Sequence, residues 1–150
     1  MKLLFIVNPV AGKGNTRDAI PHIEEFCSKN GIVCTIIQTS SAGEAPQIVK
    51  ENCAGYSAVV AVGGDGTVLE VTNGLVEAGM DIPLGVIPLG SGNDFAKAVN
   101  IPEGFEHIEE CLQIIAEKQA KLVDLARFNG RVFLNIASIG FDAEIIRDLH

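Results

Sequence analysis

The chain of 150 residues carries a formal charge of −8, with 47% hydrophobic and 20% charged residues. That length suits one ordinary domain with a well-filled core. The acidic balance argues against a nucleic-acid binder and against bulk attraction to anionic lipid, and no apolar run reaches the roughly 18 residues of a membrane-spanning helix.

Residues 2–7 (KLLFIV) predict a first strand, and Asn8-Pro9 ends both the strand and its superficial likeness to a signal peptide. A glycine-containing loop over 10–15 leads into a helix to about Asn30. Ile20, Ile23 and Cys27 share one face of it, Pro21 lies at or near its first turn, and Gly31 follows as the stop. Residues 32–39 (IVCTIIQT) read as the second strand, 44–53 as a helix and 57–62 (SAVVAV) as the third strand. A helix from about Thr67 to Ala78 comes directly behind a run of glycines. The fourth strand, Leu84 to Pro88, precedes a short helix over 95–99. Phe105, Ile108, Cys111, Leu112 and Ile115 mark a strongly amphipathic helix. AKLVDLARFNGRVFLNIAS then reads as two strands joined at Asn129-Gly130, the best hairpin signal in the chain. Cys27, Cys34, Cys53 and Cys111 form no C-x-x-C pair and sit in apolar patterns, which predicts reduced, buried thiols in a cytoplasmic protein.

Strands alternating with helices imply right-handed crossovers and an α/β fold with a mostly parallel sheet and helices on both faces. Ligands of such sheets bind beyond the carboxyl ends of the strands. Four consecutive strand ends carry loop chemistry here: Asn8-Pro9, Thr39, Gly63 to Thr67, and Gly90 to Asp94.

The two familiar phosphate signatures are absent. Gly12-Lys13 is followed by Gly14 rather than a hydroxyl, and G-x-G-x-x-G fails at Gly12, Gly64 and Gly90. Gly63-Gly64-Asp65-Gly66-Thr67 offers something else, successive backbone N–H groups leading into a helix N-terminus, where glycines permit close approach of a ligand. No basic residue lies between Lys50 and Lys97, so a phosphate held there would be held by amides, hydroxyls and a metal ion. Asp65 suits Mg²⁺ positioning or proton acceptance from an attacking hydroxyl, against the plainer reading of Asp65 or Thr67 as a helix N-cap. The second loop, Pro88-Leu89-Gly90-Ser91-Gly92-Asn93-Asp94-Phe95, repeats glycines, a hydroxyl and an Asn-Asp pair at the next strand end. Asn93 or Asp94 alone would suit an N-cap, but the two loops together favour phosphate binding. Lys13 and Arg17 are either solvated charges or phosphate contacts from the first loop. Asp124, a lone acid in an apolar run, is either metal-linked or hydrogen-bonded, or simply faces outward. His22 and His107 read as surface residues.

N-P-x-x-G at Asn8 to Gly12, G-G-D-G-T at Gly63 to Thr67 with E-V-x-N-G at Glu70 to Gly74, and P-L-G-S-G-N-D-F-A at Pro88 to Ala96 resemble the diacylglycerol kinase catalytic domain. That family includes bacterial soluble lipid kinases and sphingosine and ceramide kinases, and is more distantly similar to NAD kinases and phosphofructokinases. The resemblance runs from Leu4 to at least Asp142 and includes V-D-L at Val123 to Leu125. It implies a Rossmann-like N-terminal domain that binds ATP and, with Mg²⁺, transfers the γ-phosphoryl to a lipid hydroxyl such as that of diacylglycerol. By motif matching, Asn8, Pro9, Gly12, Lys13, Thr39, Gly63, Gly64, Asp65, Gly66, Thr67, Gly90, Ser91 and Asn93 would line the nucleotide site. Asp65 would carry the catalytic role, since in some relatives the matching acid is the proton acceptor, while Asp94 and Asp124 would join a water-linked Mg²⁺ network. Ser91 stands where threonine is usual and Lys97 where many members have arginine, which weakens bidentate phosphate contact.

The resemblance divides the chain into an ATP-binding domain over 1–125 and, over 126–150, the truncated start of a C-terminal β-sandwich domain. FLNIASIGFDAEI looks like the entry to that domain, which is absent here and would supply the general base and close the lipid cleft. The expected setting is cytoplasmic, with peripheral contact at the inner membrane surface through the missing domain. The expected partners are nucleotide and lipid, without nucleic acid, and a homodimer is one expected assembly. A kinase of a soluble substrate such as NAD, or a non-catalytic nucleotide-binding module ending at His150, are the alternatives.

Overall fold

In a computed structural model, residues 1–135 are described, with side chains at all of them except 13–15. The element order is β1 (Lys2–Val7), α1 (Ala19–Lys29), β2 (Val33–Gln38), α2 (Ala45–Asn52), β3 (Ala58–Gly63), α3 (Asp65–Ala78), β4 (Leu84–Pro88), α4 (Asp94–Ala98), α5 (Ile108–Ala116), β5 (Ala126–Phe128) and β6 (Arg131–Phe133).

β1 to β4 form one parallel sheet in the order β2-β1-β3-β4. The two central strands are buried on both faces, which is why KLLFIV and SAVVAV are apolar runs rather than alternating patterns. Successive side chains still divide between two cores. Leu3, Phe5 and Val7 with Val60 and Val62 meet Ile23 and Cys27 of α1 and Ile108 and Leu112 of α5. Leu4, Ile6, Val59 and Ala61 meet Val49 of α2 and Val68, Val71 and Leu75 of α3 on the opposite side. The α/β fold with helices on both faces is therefore the observed architecture.

Gly31 ends α1 as the sequence predicts. At φ +62 it lets the Ile32 N–H reach the Cys27 carbonyl at 2.9 Å and its own N–H reach that of Ser28 at 3.4 Å, a Schellman stop. Gly79 ends α3 in the same conformation. Gly74 serves packing instead: a Cβ there would lie 2.8 Å from the Pro46 carbonyl oxygen and from Val49 Cβ, so α2 and α3 cross in contact.

Some boundaries differ from expectation. The segment before α1 is a 3₁₀ turn over Ala11–Asp18. α3 starts at Asp65, two residues early, because Gly64 takes the extended N-cap conformation with φ −96 and ψ −171. The expected strand in KLVDLA does not form: residues 121–125 are irregular and exposed, and β5 begins only at Ala126. An apolar run needs a partner to complete its ladder, and among the described residues β5 pairs with β6 alone. That hairpin does turn at Asn129 (φ 47) and Gly130 (φ 81), a type I′ pair, with Phe128 opposite Arg131. Most of FLNIASIGFDAEI, the expected entry to a sandwich, lies outside the described residues. All four cysteines are free, and only Cys34 is not fully buried. Burial pushes the thiols of Cys27 and Cys111 up to about 12, with Cys34 adding to the shift at Cys27 and Glu110 at Cys111.

Candidate functional site

Parallel order brings the ends of β1, β3 and β4 side by side, and their loops interlock backbone to backbone. A Cβ on Gly90 would lie 2.3 Å from Gly64 Cα, so the loops after β3 and β4 touch through glycine alone. A Cβ on Gly12 would lie 2.0 Å from the Leu89 carbonyl oxygen, which presses the first loop onto the same place. A Cβ on Gly63 would fall 2.5 Å from Thr67 Oγ1. Side chains complete the junction. The Asn8 carboxamide donates to Thr67 Oγ1 at 3.2 Å and accepts from the Val10 N–H at 3.2 Å, tying the first loop to α3.

Gly66, in the first turn of α3, differs from these. It is exposed, its φ is not positive, and a methyl group there would meet no atom within 4 Å. The N-cap of α3 offers no side-chain hydrogen bond, and the first helical bond in the turn is from the Val68 N–H to the Gly64 carbonyl at 3.1 Å. The amides of Asp65, Gly66 and Thr67 thus have no protein acceptor among the described residues, at a helix end that favours anions.

The Asp65 carboxylate turns toward the neighbouring loop. Its Oδ2 accepts from the Asp94 N–H at 3.1 Å and its Oδ1 from the Phe95 N–H at 3.0 Å, which caps α4 from another helix. The β4–α4 loop is braced from within. Asn93, left-handed at φ 57, accepts from the Gly90 N–H and donates to the Gly90 carbonyl, both at 2.9 Å, and also donates to Glu103 at 3.1 Å. Lys97 Nζ donates to the Gly92 carbonyl at 2.7 Å and lies 3.6 Å from Glu103. Beside Asp65 is a cavity of about 180 Å³, walled by Gly66, Leu69, Phe95, Phe133, Leu134 and Asn135. A larger apolar groove of about 540 Å³ runs along β4 and the segment from Lys118 to Leu125. None of the glycines of the two loops lines it, but it meets the smaller cavity at Phe95 and Leu134, which wall both.

Compared with known proteins, the sequence profile of the diacylglycerol kinase catalytic domain matches residues 2–128. The chain belongs to that family. It is 36% identical over 140 residues to a diacylglycerol kinase of Staphylococcus aureus (strain bovine RF122 / ET3-1), covering 91% of this chain and 42% of the relative. It is 33% identical over 146 residues to a diacylglycerol kinase of Bacillus subtilis (strain 168), covering 97% and 48%. A crystal structure of a diacylglycerol kinase from Bacillus anthracis str. Sterne superposes with a TM-score of 0.74 at 35% identity, over 89% of this chain and 48% of that one. The chain thus spans less than half the length of these relatives.

Of the kinase-motif residues read from the sequence, Asn8, Gly12, Gly63, Gly64, Asp65, Gly66, Thr67, Gly90, Asn93 and Asp94 come together at this junction. Pro9 adjoins it, and Ser91 is exposed on the second loop. Thr39 is buried at the end of β2, its N–H on the Val7 carbonyl at 2.9 Å, one strand away. The side chain of Lys13 lies outside the described residues, and Arg17 is exposed. Asp124 is exposed in the irregular segment. No group of three or more His, Cys, Asp or Glu that could hold a metal occurs among the described residues. His22 and His107 have partners: His22 stacks edge-on against Phe105 at 5.3 Å, and His107 Nδ1 lies 3.0 Å from Glu110.

Sequence reasoning gave no role to two polar residues in E-V-x-N-G. Glu70 accepts from the Gly43 N–H at 2.9 Å, holding the entry to α2. Asn73 bonds both backbone groups of Val132, at 3.0 Å each. Polar residues within an otherwise apolar helix pattern were the available signal.

Proposed function

We propose that this chain is the nucleotide-holding part of a Mg²⁺-dependent lipid kinase that transfers the γ-phosphoryl of ATP to a lipid hydroxyl such as that of diacylglycerol. Gly66 carries the reading. The fold does not need glycine there, but a phosphate lying on the first turn of α3 would. Three unpartnered amides face that space, and the interlocked glycines fix the neighbouring loops around it.

The residues present fit such a group. Amides of Asp65, Gly66 and Thr67 would hold phosphate oxygens. With no basic side chain between Lys50 and Lys97, the carboxylates of Asp65 and Asp94 are the groups on hand to help hold a cation that neutralises them. Mg²⁺ is commonly bound by one or two carboxylates together with phosphates and water, so a preformed acidic cluster is not required. Bound there, the metal would supply charge neutralisation during phosphoryl transfer. Asp65, with both oxygens on α4 amides, orients the two loops toward each other. The cavity beside it has mainly apolar walls with this carboxylate at one side, which suits the hydroxyl-bearing end of an apolar acceptor.

On this reading the hairpin β5–β6 begins a second domain that brings lipid to the site from the membrane surface, the enzyme working from the cytoplasm. No helix among the described residues is long and apolar enough to cross a membrane.

Isothermal titration of ATP, with and without Mg²⁺, against the chain and its Asp65→Asn variant tests the nucleotide half. Saturable, Mg²⁺-dependent binding that weakens in the variant is expected. Absence of binding both here and in the intact protein would refute it. Phosphoryl transfer from labelled ATP to short-chain diacylglycerol by the intact protein tests the other half.

A further inference from the structure

We propose that Asn73 is a positioning residue: its carboxamide fixes the register at which β6 lies along α3, and so sets the wall of the cavity beside Asp65. A two-residue turn makes Phe128 and Arg131 the hydrogen-bonded pair, so the next pair, Arg127 and Val132, points its backbone groups outward. The outward N–H of Val132 donates to Asn73 Oδ1 and its carbonyl accepts from Asn73 Nδ2, each at 3.0 Å. The side chain thus occupies the place of a third strand. Its remaining donor is spent on the Leu69 carbonyl at 2.9 Å, which locks the carboxamide to the helix.

Asp65, Leu69 and Asn73 lie four residues apart on one face of α3. The eight residues from Asn73 back to Asp65 rise about 12 Å. The three steps from Val132 to Asn135, of which the last two lie beyond β6, can reach at most about 10 Å. That is enough to run back along α3, and the Asn135 carboxamide arrives 3.4 Å from Asp65 Oδ1. Phe133 and Leu134 wall the cavity on the way, opposite Leu69 and Phe95. Among the described residues no other side chain outside the hairpin makes a hydrogen bond to β6. Asn73 makes no hydrogen bond to the glycine loops. It would therefore act on the acceptor side of the site and leave the nucleotide side alone.

The kinetic consequence rests on the lipid-kinase reading, whereas the clamp can be measured without substrate. In the intact protein, Asn73→Asp keeps the shape and the acceptor for the Val132 N–H but sets an oxygen against the Val132 and Leu69 carbonyls. Hydrogen exchange by mass spectrometry across 131–135 should speed up at least tenfold. Transfer to short-chain diacylglycerol should fall at least tenfold in kcat/KM for the lipid, with ATP affinity within twofold of wild type. Asn73→Gln, which keeps both donor and acceptor, should recover part of both effects. Unchanged exchange at 131–135 in Asn73→Asp overturns the clamp. Faster exchange with unchanged lipid kinetics, or with an equal loss of ATP affinity, overturns the positioning role. Should the aspartate variant fail to fold, by far-UV circular dichroism, Asn73→Gln and Asn73→Ser are compared in the same way. A wild type that transfers nothing to lipid refutes the lipid-kinase reading, and the exchange measurement then decides the clamp on its own.

Discussion

Replacing Gly66 with alanine separates what the fold needs from what a ligand needs. Nothing lies within 4 Å of the methyl group that would be added, and the backbone already has an ordinary φ. Within a helix, alanine is favoured over glycine by about 0.5–1 kcal/mol, chiefly because the unfolded chain loses freedom. For a chain of this size that corresponds to a rise in Tm of roughly 1–4 °C. A phosphate held by the amides of the first turn would sit within contact distance of the same methyl group. Displacing it by even half an ångström lengthens bonds whose strength is steep in distance. Nucleotide affinity should fall at least tenfold, about 1.4 kcal/mol, while the protein becomes more stable. Differential scanning calorimetry and MgATP titration on the same preparation give both numbers. A variant that is more stable and binds MgATP as tightly as wild type would refute the placement of phosphate on α3. A variant that is less stable would show that the space over Gly66 has been misjudged.

Gly90→Ala should behave in the opposite manner. Its Cβ would lie 2.3 Å from Gly64 Cα and 2.9 Å from Asn93 Oδ1, and the first contact is backbone that no rotamer relieves. Overpacking of this kind costs about 1–3 kcal/mol, so thermal melting should show a Tm lower by roughly 2–12 °C, with nucleotide binding lost alongside. The buried thiols predict an alkaline limit. Cys27 and Cys111 have an ordinary value of 9.0 and are pushed up to about 12, so the native chain keeps protons that the unfolded chain releases. Their contribution is fully present below pH 9 and declines as pH rises toward 12. Urea unfolding between pH 8 and 11 should show a shallower decline in Cys111→Ala than in wild type. Leu122, Val123, Leu125 and Phe128 leave an exposed apolar strip beside the groove along β4. Sedimentation velocity on the 150-residue chain should therefore show self-association with rising concentration, weakened in Leu122→Lys. A monodisperse monomer at high concentration would count against it.

Much of the fold was legible because its determinants are local. The apolar runs of β1 and β3, the Gly31 stop and the Asn129-Gly130 turn each act within a few residues, and each stands where the sequence puts it. KLVDLA misled for the complementary reason. Its strand-like pattern is local, but a strand needs a neighbour, and none of the described strands pairs with residues 121–125. At the site, the metal or proton role that the sequence neighbours of Asp65 suggest stays a proposal, and what they do not reveal is that its carboxylate also accepts from amides 29 and 30 residues away, on a helix the same glycine loops bring within reach. Asn73 was hidden because its partner strand lies 59 residues further on.

The glycines show most clearly how sequence and structure divide the work. Five of them at two strand ends suggest a phosphate site, but a glycine can be required by the chain itself as readily as by a ligand. Close approach accounts for Gly63, Gly64 and Gly90: an added Cβ would strike Thr67, Gly90 and Gly64 in turn. A Cβ on Gly92 would lie 3.0 Å from Asp65 Oδ2, a tight contact with a side chain engaged in capping α4. Gly63 and Gly90 would be glycines in a protein that bound nothing, and Gly64 and Gly92 sit where a methyl group would be tight at 3.0 Å. Gly66 alone has no such reason, and it carries a propensity cost at the head of a helix whose first amides are unpartnered. An unexplained cost at a strand end of a parallel sheet is where a ligand's contribution is to be sought, and it is the reason the proposed phosphate position is on α3 rather than between the loops.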